Sequence, residues 1–270
     1  MTYFGVLLTF VLPPLLILAL WTPGDVWRWL LSKGPRPSWL PYQLVLAHVV
    51  IALVYTTPWD NYLVATGVWW YNPALVTGLR LWYVPIEEYT FFVLQTLLTG
   101  LWTVWLLRRL PALPLRPDSS LRLWSSTILG LGWLASAALW LSGWQPGIYL
   151  ALILVWALVP LCVQFLFGAD ILLSERRALL PAVGLPTLYL WLIDALAIGS
   201  GTWTIDPHQT TGLMLGVLPL EEMIFFLSTN VILAFGIALM YSAYSRERAQ
   251  ALLSTARKRF VRGAGEYGGG

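Results

Sequence analysis

Four carboxylates stand in this chain at places where an apolar run would ordinarily carry none. They lie in Pro85-Ile86-Glu87-Glu88-Tyr89-Thr90-Phe91-Phe92 and Pro219-Leu220-Glu221-Glu222-Met223-Ile224-Phe225-Phe226, one pattern written twice. Each copy sets two adjacent acids at the start of an apolar stretch long enough to cross a bilayer, where desolvation makes an acid costly unless it has a task. If one Glu from each copy converges in a dry pocket, the two cannot both ionise readily, and the one left protonated is a general acid. Phe91 and Phe92 follow Glu87 and Glu88 by one helical turn, as Phe225 and Phe226 follow Glu221 and Glu222, so rings and acids share helix faces. A positive charge formed against such a desolvated ring gains about 2 kcal/mol or more. Glu87, Glu88, Glu221 and Glu222 are therefore the candidate catalytic residues, and the four phenylalanines are candidates for substrate binding and cation stabilisation. A lone copy would be explained equally well as a helix start, because proline tolerates the first turn and carboxylates complement the dipole.

Duplication is what favours chemistry. Between residues 60–92 and 194–226, 13 of 33 positions are identical without a gap, which marks an internal repeat. Besides Pro85 with Pro219 and the acid pairs, the matches include Asp60 with Asp194, Trp69 with Trp203, and Thr77-Gly78 with Thr211-Gly212. Asp60 and Asp194, near the ends of their apolar runs, are candidates for holding a Glu, an Arg or a backbone group in place. Trp69 and Trp203 are expected to roof a cavity from the loops, although interface anchoring would also explain them. His48 and His208 have Ala182 and Ala74 as counterparts. With two His, one Cys and no cluster at ligand spacing, no metal site is expected.

The elements that position these residues follow from composition. A 270-residue chain that is 58% hydrophobic and 11% charged reads as an all-α integral membrane protein. Apolar runs near 3–21, 40–57, 84–107, 122–142, 147–167, 178–199 and 216–241 give seven spans. Of the 16 Lys and Arg residues, all but Arg80 fall on one side of that arrangement. The positive-inside rule then puts the N-terminus outside and the C-terminus in the cytoplasm. Spans one to three correspond to spans five to seven, two parallel repeats joined by a fourth helix, which brings both acid motifs to the outer face. The units expected are a first three-helix repeat over 1–110, a connecting loop and helix over 111–144, a second repeat over 145–244, and a basic, then Gly-rich cytoplasmic tail over 245–270. That tail is expected to lie against anionic lipid and end disordered. Cys162 permits no intrachain disulfide, and Met1-Thr2-Tyr3-Phe4 lacks the basic flank of a cleavable signal.

Paired Pro-x-Glu-Glu motifs in tandem three-span units resemble the membrane-integral lycopene cyclase family in its fused form, over nearly all of spans one to seven. The resemblance implies cyclisation of the ψ ends of lycopene to β-ionone rings, through γ-carotene to β-carotene, with no net redox change. Relatives of that build act on C50 carotenoids or make other rings, so the resemblance alone does not fix the product. An acid, a base, dry walls and π faces suffice for such a reaction. No Gly-x-Gly-x-x-Gly follows a strand, so neither a flavin nor any other cofactor is expected. The implied partners are lycopene and the lipid bilayer of a bacterial or archaeal type cell membrane. A nucleic acid is not among them, and a homo-oligomer is compatible with the reading. Two alternatives stay open: a proton-coupled transporter and a non-catalytic carotenoid-binding membrane protein. A retinal photoreceptor is excluded, since it needs a lysine inside the last span and the only lysines, Lys33 and Lys258, lie in a loop and the tail.

Overall fold

The computed structural model describes residues 1–21 and 40–267, with side chains described to residue 255. Loop cations Arg28, Lys33 and Arg36 lie outside the described residues. Among the described residues, seven helices are long and apolar enough to cross a membrane: α1 Tyr3–Trp21, α2 Leu40–Ala65, α3 Ile86–Arg109, α4 Ser119–Leu141, α5 Gln145–Ser174, α6 Arg176–Gly199 and α7 Leu220–Tyr241. An eighth, α8 Ala243–Tyr267, follows.

Prolines inside these helices shape the packing. Proline has no N–H, so the carbonyl four residues before it loses its helical partner. In α1 the chain passes through a π-turn at Leu7–Val11 just before Pro13-Pro14, and the carbonyl of Phe10 accepts the Tyr189 hydroxyl of α6 at 2.8 Å. In α5 Pro160 frees the carbonyl of Trp156, which accepts the Tyr55 hydroxyl of α2 at 2.8 Å. Helix α2 runs through Pro58 to Ala65, beyond the expected end near residue 57, so Asp60 is inside the helix rather than at its end.

The connections ahead of α3 and α7 are not plain loops. They contain β1 Trp69–Tyr71, β2 Arg80–Leu81, β3 Val84–Pro85, β4 Trp203–Ile205, β5 Met214–Leu215 and β6 Leu218–Pro219. Strand β1 pairs antiparallel with β4, with Trp70 opposite Thr204, while β2–β3 and β5–β6 are hairpins. An all-α reading therefore needs these six short strands added; pairing them satisfies backbone groups that the loops would otherwise leave open. Gly78 and Gly212 share left-handed φ values of 81° and 77°, which only glycine adopts without strain, so this repeated identity is a turn requirement. Pro85 and Pro219 end β3 and β6 in extended conformation and precede the first helical residue, instead of occupying the first turn. The acids consequently fall at the second and third helical positions.

The tail departs from expectation at its end. Helix α8 continues through Gly263-Ala264-Gly265 to Tyr267, where disorder was expected. Arg248 is tied to the helices: its guanidinium clasps Asp170 of α5 at 2.8 and 2.7 Å and donates to the Phe167 carbonyl at 2.7 Å. That carbonyl is available because Gly168 leaves the helical conformation and the Ile171 N–H turns to Asp170 Oδ1. Glycine is needed there, since a Cβ would meet Leu239 of α7 at 2.5 Å. Arg122 adds a second cation 3.6 Å from Asp170. Breaking such a pair strands a buried carboxylate, so Arg248→Ala should cost roughly 3 kcal/mol, read as a lowered Tm in detergent. Arg248→Lys, a point charge without the planar fork, should fall in between.

Candidate active site

The first turn of α3 rises directly out of the β2–β3 hairpin, and that of α7 out of β5–β6, so each Glu-Glu pair is fixed by a strand end on one side and a helix on the other. Adjacent helical residues diverge by about 100°, and the two acids of each pair take different surroundings. Glu87 Oε1 accepts the Thr77 N–H at 2.6 Å, and Glu221 Oε1 accepts the Thr211 N–H at 2.7 Å. Both are fully buried, and neither lines the cavity between the two motifs. They pin the Thr-Gly turns of the preceding connections to the helices.

Glu88 and Glu222 turn the other way. With Asp60 and Asp194 they bring four carboxyl groups to one cavity, which no Lys, Arg or His among the described residues lines. Glu88 Oε2 accepts two phenols, Tyr3 at 2.5 Å and Tyr71 at 3.0 Å. Tyr71 accepts in turn from Trp69 Nε1 at 3.2 Å. Burial, then the charge of nearby Glu88, pushes the Tyr71 phenol well above its ordinary value, so it remains a hydrogen donor. The hydroxyl of Tyr149 donates to Glu222 Oε1. Trp203 Nε1 donates to Asp194 Oδ1 at 2.9 Å, Asp194 Oδ2 takes no donor among the described residues, and the carboxyl groups of Asp194 and Glu222 adjoin each other. Two ionised carboxylates offer each other no hydrogen; one hydrogen between Asp194 and Glu222 would join them. Both oxygens of Asp60 lack a donor, so the two aspartates, identical in sequence, are not equivalent in surroundings.

Aromatic rings make up much of the remaining wall. Phe91 and Phe226 meet edge-to-face across the two motifs at 6.1 Å, Phe225 and Phe226 at 5.2 Å, and Trp59 stacks on Phe225 at 5.5 Å. Phe92 lines the cavity beside Phe91, and Trp69 and Trp203 close it from β1 and β4. Of the residues singled out from sequence, Glu88, Glu222, Asp60, Asp194, the four phenylalanines and the two tryptophans come together here. Glu87, Glu221, Pro85 and Pro219 do not reach the cavity.

Sequence reasoning missed Tyr3, Tyr71, Tyr149 and Trp59. Tyr3 and Tyr149 open α1 and α5, the corresponding helices of the two halves, but lie outside the ungapped 60–92 and 194–226 match. A comparison allowing one insertion before α2 would have aligned them. Tyr71 has Ile205 at its counterpart position, so no repeat signal marks it. Acids lining an aromatic cavity with no cation among the described residues can move a proton to and from an uncharged ligand and shelter a positive charge formed on it. Among the described residues no group of His, Cys, Asp and Glu is arranged to hold a metal ion.

Comparison with known proteins bears on which ligand that is. The sequence model of a family described as Lycopene cyclase matches residues 1–106 and 146–243. The Lycopene beta-cyclase of Halobacterium salinarum is 38% identical over 256 residues, covering 92% of this chain and 99% of that protein. The Bifunctional lycopene cyclase/phytoene synthase of Podospora anserina is 38% identical over 199 residues, 70% of this chain and 34% of the fungal protein. Its counterpart in Colletotrichum graminicola is 40% identical over 202 residues, with the same two coverages. No solved structure matches.

Proposed function

The chain belongs to the lycopene cyclase family, and from that premise we propose that it closes the ψ ends of lycopene into β-ionone rings, giving γ-carotene and then β-carotene. The observation that carries this reading is the cavity that Glu88 and Glu222 line together with aromatic rings and, among the described residues, no cation. A carboxylic acid adds a proton to the terminal double bond of the ψ end and leaves a tertiary carbocation. The neighbouring double bond attacks that centre, one carbon–carbon bond forms, and a ring proton is lost to a carboxylate. One proton enters and one leaves, so no electrons are exchanged with a redox partner.

Hydrogen bonding suggests the division of labour. Glu222, which accepts from the single phenol of Tyr149 and lines the cavity with Asp194, is the proton donor. Glu88, whose Oε2 accepts from Tyr3 and Tyr71, is the carboxylate that receives the ring proton. Asp60 supports Glu88, and the four phenylalanines with Trp69 and Trp203 stabilise the cation. Glu87 and Glu221 act at one remove, by holding the turns that carry the cavity roof.

The arrangement belongs to the same proposal: two parallel three-helix repeats, over 1–110 and 145–244, on either side of a connector over 111–144, with 245–270 as a cytoplasmic tail. Support comes from paired contacts, Thr77 to Glu87 and Thr211 to Glu221, and from the family match, which breaks at 106 and resumes at 146. The N-terminus is outside and the protein is a multi-pass resident of a bacterial or archaeal type cell membrane, as the basic loops and tail suggest. Both acid motifs share one composite pocket, so the two ends of lycopene react one after the other.

Expression in a lycopene-accumulating bacterium tests the function: pigment extracts should shift from red lycopene to yellow β-carotene on chromatography. Unchanged lycopene in the presence of folded protein would reject it in favour of a carrier or a binding protein. The composite pocket is tested by single variants. Glu88→Gln and Glu222→Gln should each slow both ring closures; a clean one-ring product formed at full rate would indicate two independent sites.

A further inference from the structure

A second cavity, of about 200 Å³, lies between α2, α3, α5 and α7 and shares Phe92 and Phe225 with the acid pocket. We propose that it holds the polyene arm of the substrate, the extended chain behind the end being cyclised. This rests on the cyclase reading above and adds to it a binding site and a pose.

One face of α7 runs through both cavities. Glu222, Phe225 and Phe226 line the first, and Phe225, Thr229, Leu233, Gly236 and Met240 continue along the second at helical three- and four-residue intervals. From Glu222 to Met240 that face is about 27 Å long at about 1.5 Å per residue. An extended C40 polyene is about as long as the roughly 30 Å hydrocarbon core of a bilayer. A chain with one end at the carboxyls therefore reaches the far end of the second cavity without folding back.

The walls suit an uncharged, apolar occupant. Among the described residues, no Asp, Glu, Lys or Arg lines the second cavity. Its polar side chains turn largely to one another and to backbone: Gln95 donates to Thr229 at 2.9 Å, Gln164 to the Ile232 carbonyl at 2.9 Å, and His48 Nδ1 pairs with the Leu44 carbonyl at 2.8 Å. Gln164 Oε1 is left without a donor. Gly236 keeps the far end open, because a Cβ there would meet His48 Nε2 at 2.5 Å. The seam between α2 and α5 borders this cavity. Tyr55 and Trp59 tie that seam at the Trp156 and Leu152 carbonyls, while Ile51, one turn below Tyr55, lines the cavity and is half exposed.

Two polyenes bearing one ψ end each, one of full C40 length and one truncated to the length of the acid pocket, separate the alternatives. Wild-type protein should cyclise both. Ala52→Phe, which fills the second cavity from α2, should lower conversion of the long polyene by about ten-fold or more relative to the short one. Leu131→Phe on the exposed face of α4 should leave that ratio unchanged. An unchanged ratio in Ala52→Phe overturns the inference, whereas a wild type inactive on both polyenes overturns the cyclase reading instead. Should Ala52→Phe fail to fold, wild-type protein with a long polyene carrying a diazirine at its unreactive end gives the answer. Labels on the residues around His48, Gly236 and Met240 support the pose, and labels confined to lipid-facing α4 refute it.

Discussion

Glu88→Gln and Glu222→Gln are each expected to lower ring formation by about 10²–10⁴-fold, whereas Glu87→Gln and Glu221→Gln should keep it within about ten-fold. The four acids look alike in sequence; their surroundings separate them. A glutamine at 87 or 221 retains a side-chain oxygen to accept the Thr77 or Thr211 N–H, so the turn stays pinned. A glutamine at 88 or 222 occupies the same space in the cavity but neither gives nor takes a proton at working pH. Pigment produced per unit of folded protein in membranes is the measurement. Equal losses at all four positions would contradict the assignment of roles.

The second large effect is expected from the rings. Phe91 and Phe226 meet across the two motifs at 6.1 Å and line the cavity beside Glu88 and Glu222. Leucine in either place keeps the wall apolar and removes the π face. If that face contributes about 2 kcal/mol to a transition state carrying a positive charge, Phe91→Leu or Phe226→Leu should slow turnover about 30-fold. Phe235, whose ring packs on Phe165 at 5.8 Å outside both cavities, supplies the control. Phe235→Leu should change Tm without a comparable change in turnover per folded molecule. A similar loss in all three variants would mean that the rings matter only for packing.

Much of the architecture was legible because a membrane imposes a simple code. Twenty-residue apolar runs marked the seven helices, and a duplicated acid motif marked where α3 and α7 begin. The aspartates and tryptophans of the ungapped repeat also reach the cavity, since positions kept in both copies include the groups facing its centre. Other features were hidden for identifiable reasons. Glu87 and Glu88 are neighbours on a helix start, and nothing in their order says which of two directions faces inward. Tyr3 and Tyr149 reach equivalent carboxylates, but a difference in connection length displaces them from the repeat register. The six strands are two or three residues long, too short for alternation to announce them. Arg248 resembled any other basic tail residue, because its partner Asp170 depends on a break at Gly168 that a continuous apolar run conceals.

The central claim is that a buried carboxyl group hands its hydrogen to the polyene. A single-turnover experiment tests it directly: equilibrate the protein in D₂O, add lycopene at a concentration below that of the protein, and examine the first-formed γ-carotene by mass spectrometry. The account predicts one deuterium in the new ring, together with loss of ring formation in Glu88→Gln and Glu222→Gln. Rings that close without taking up deuterium would contradict it.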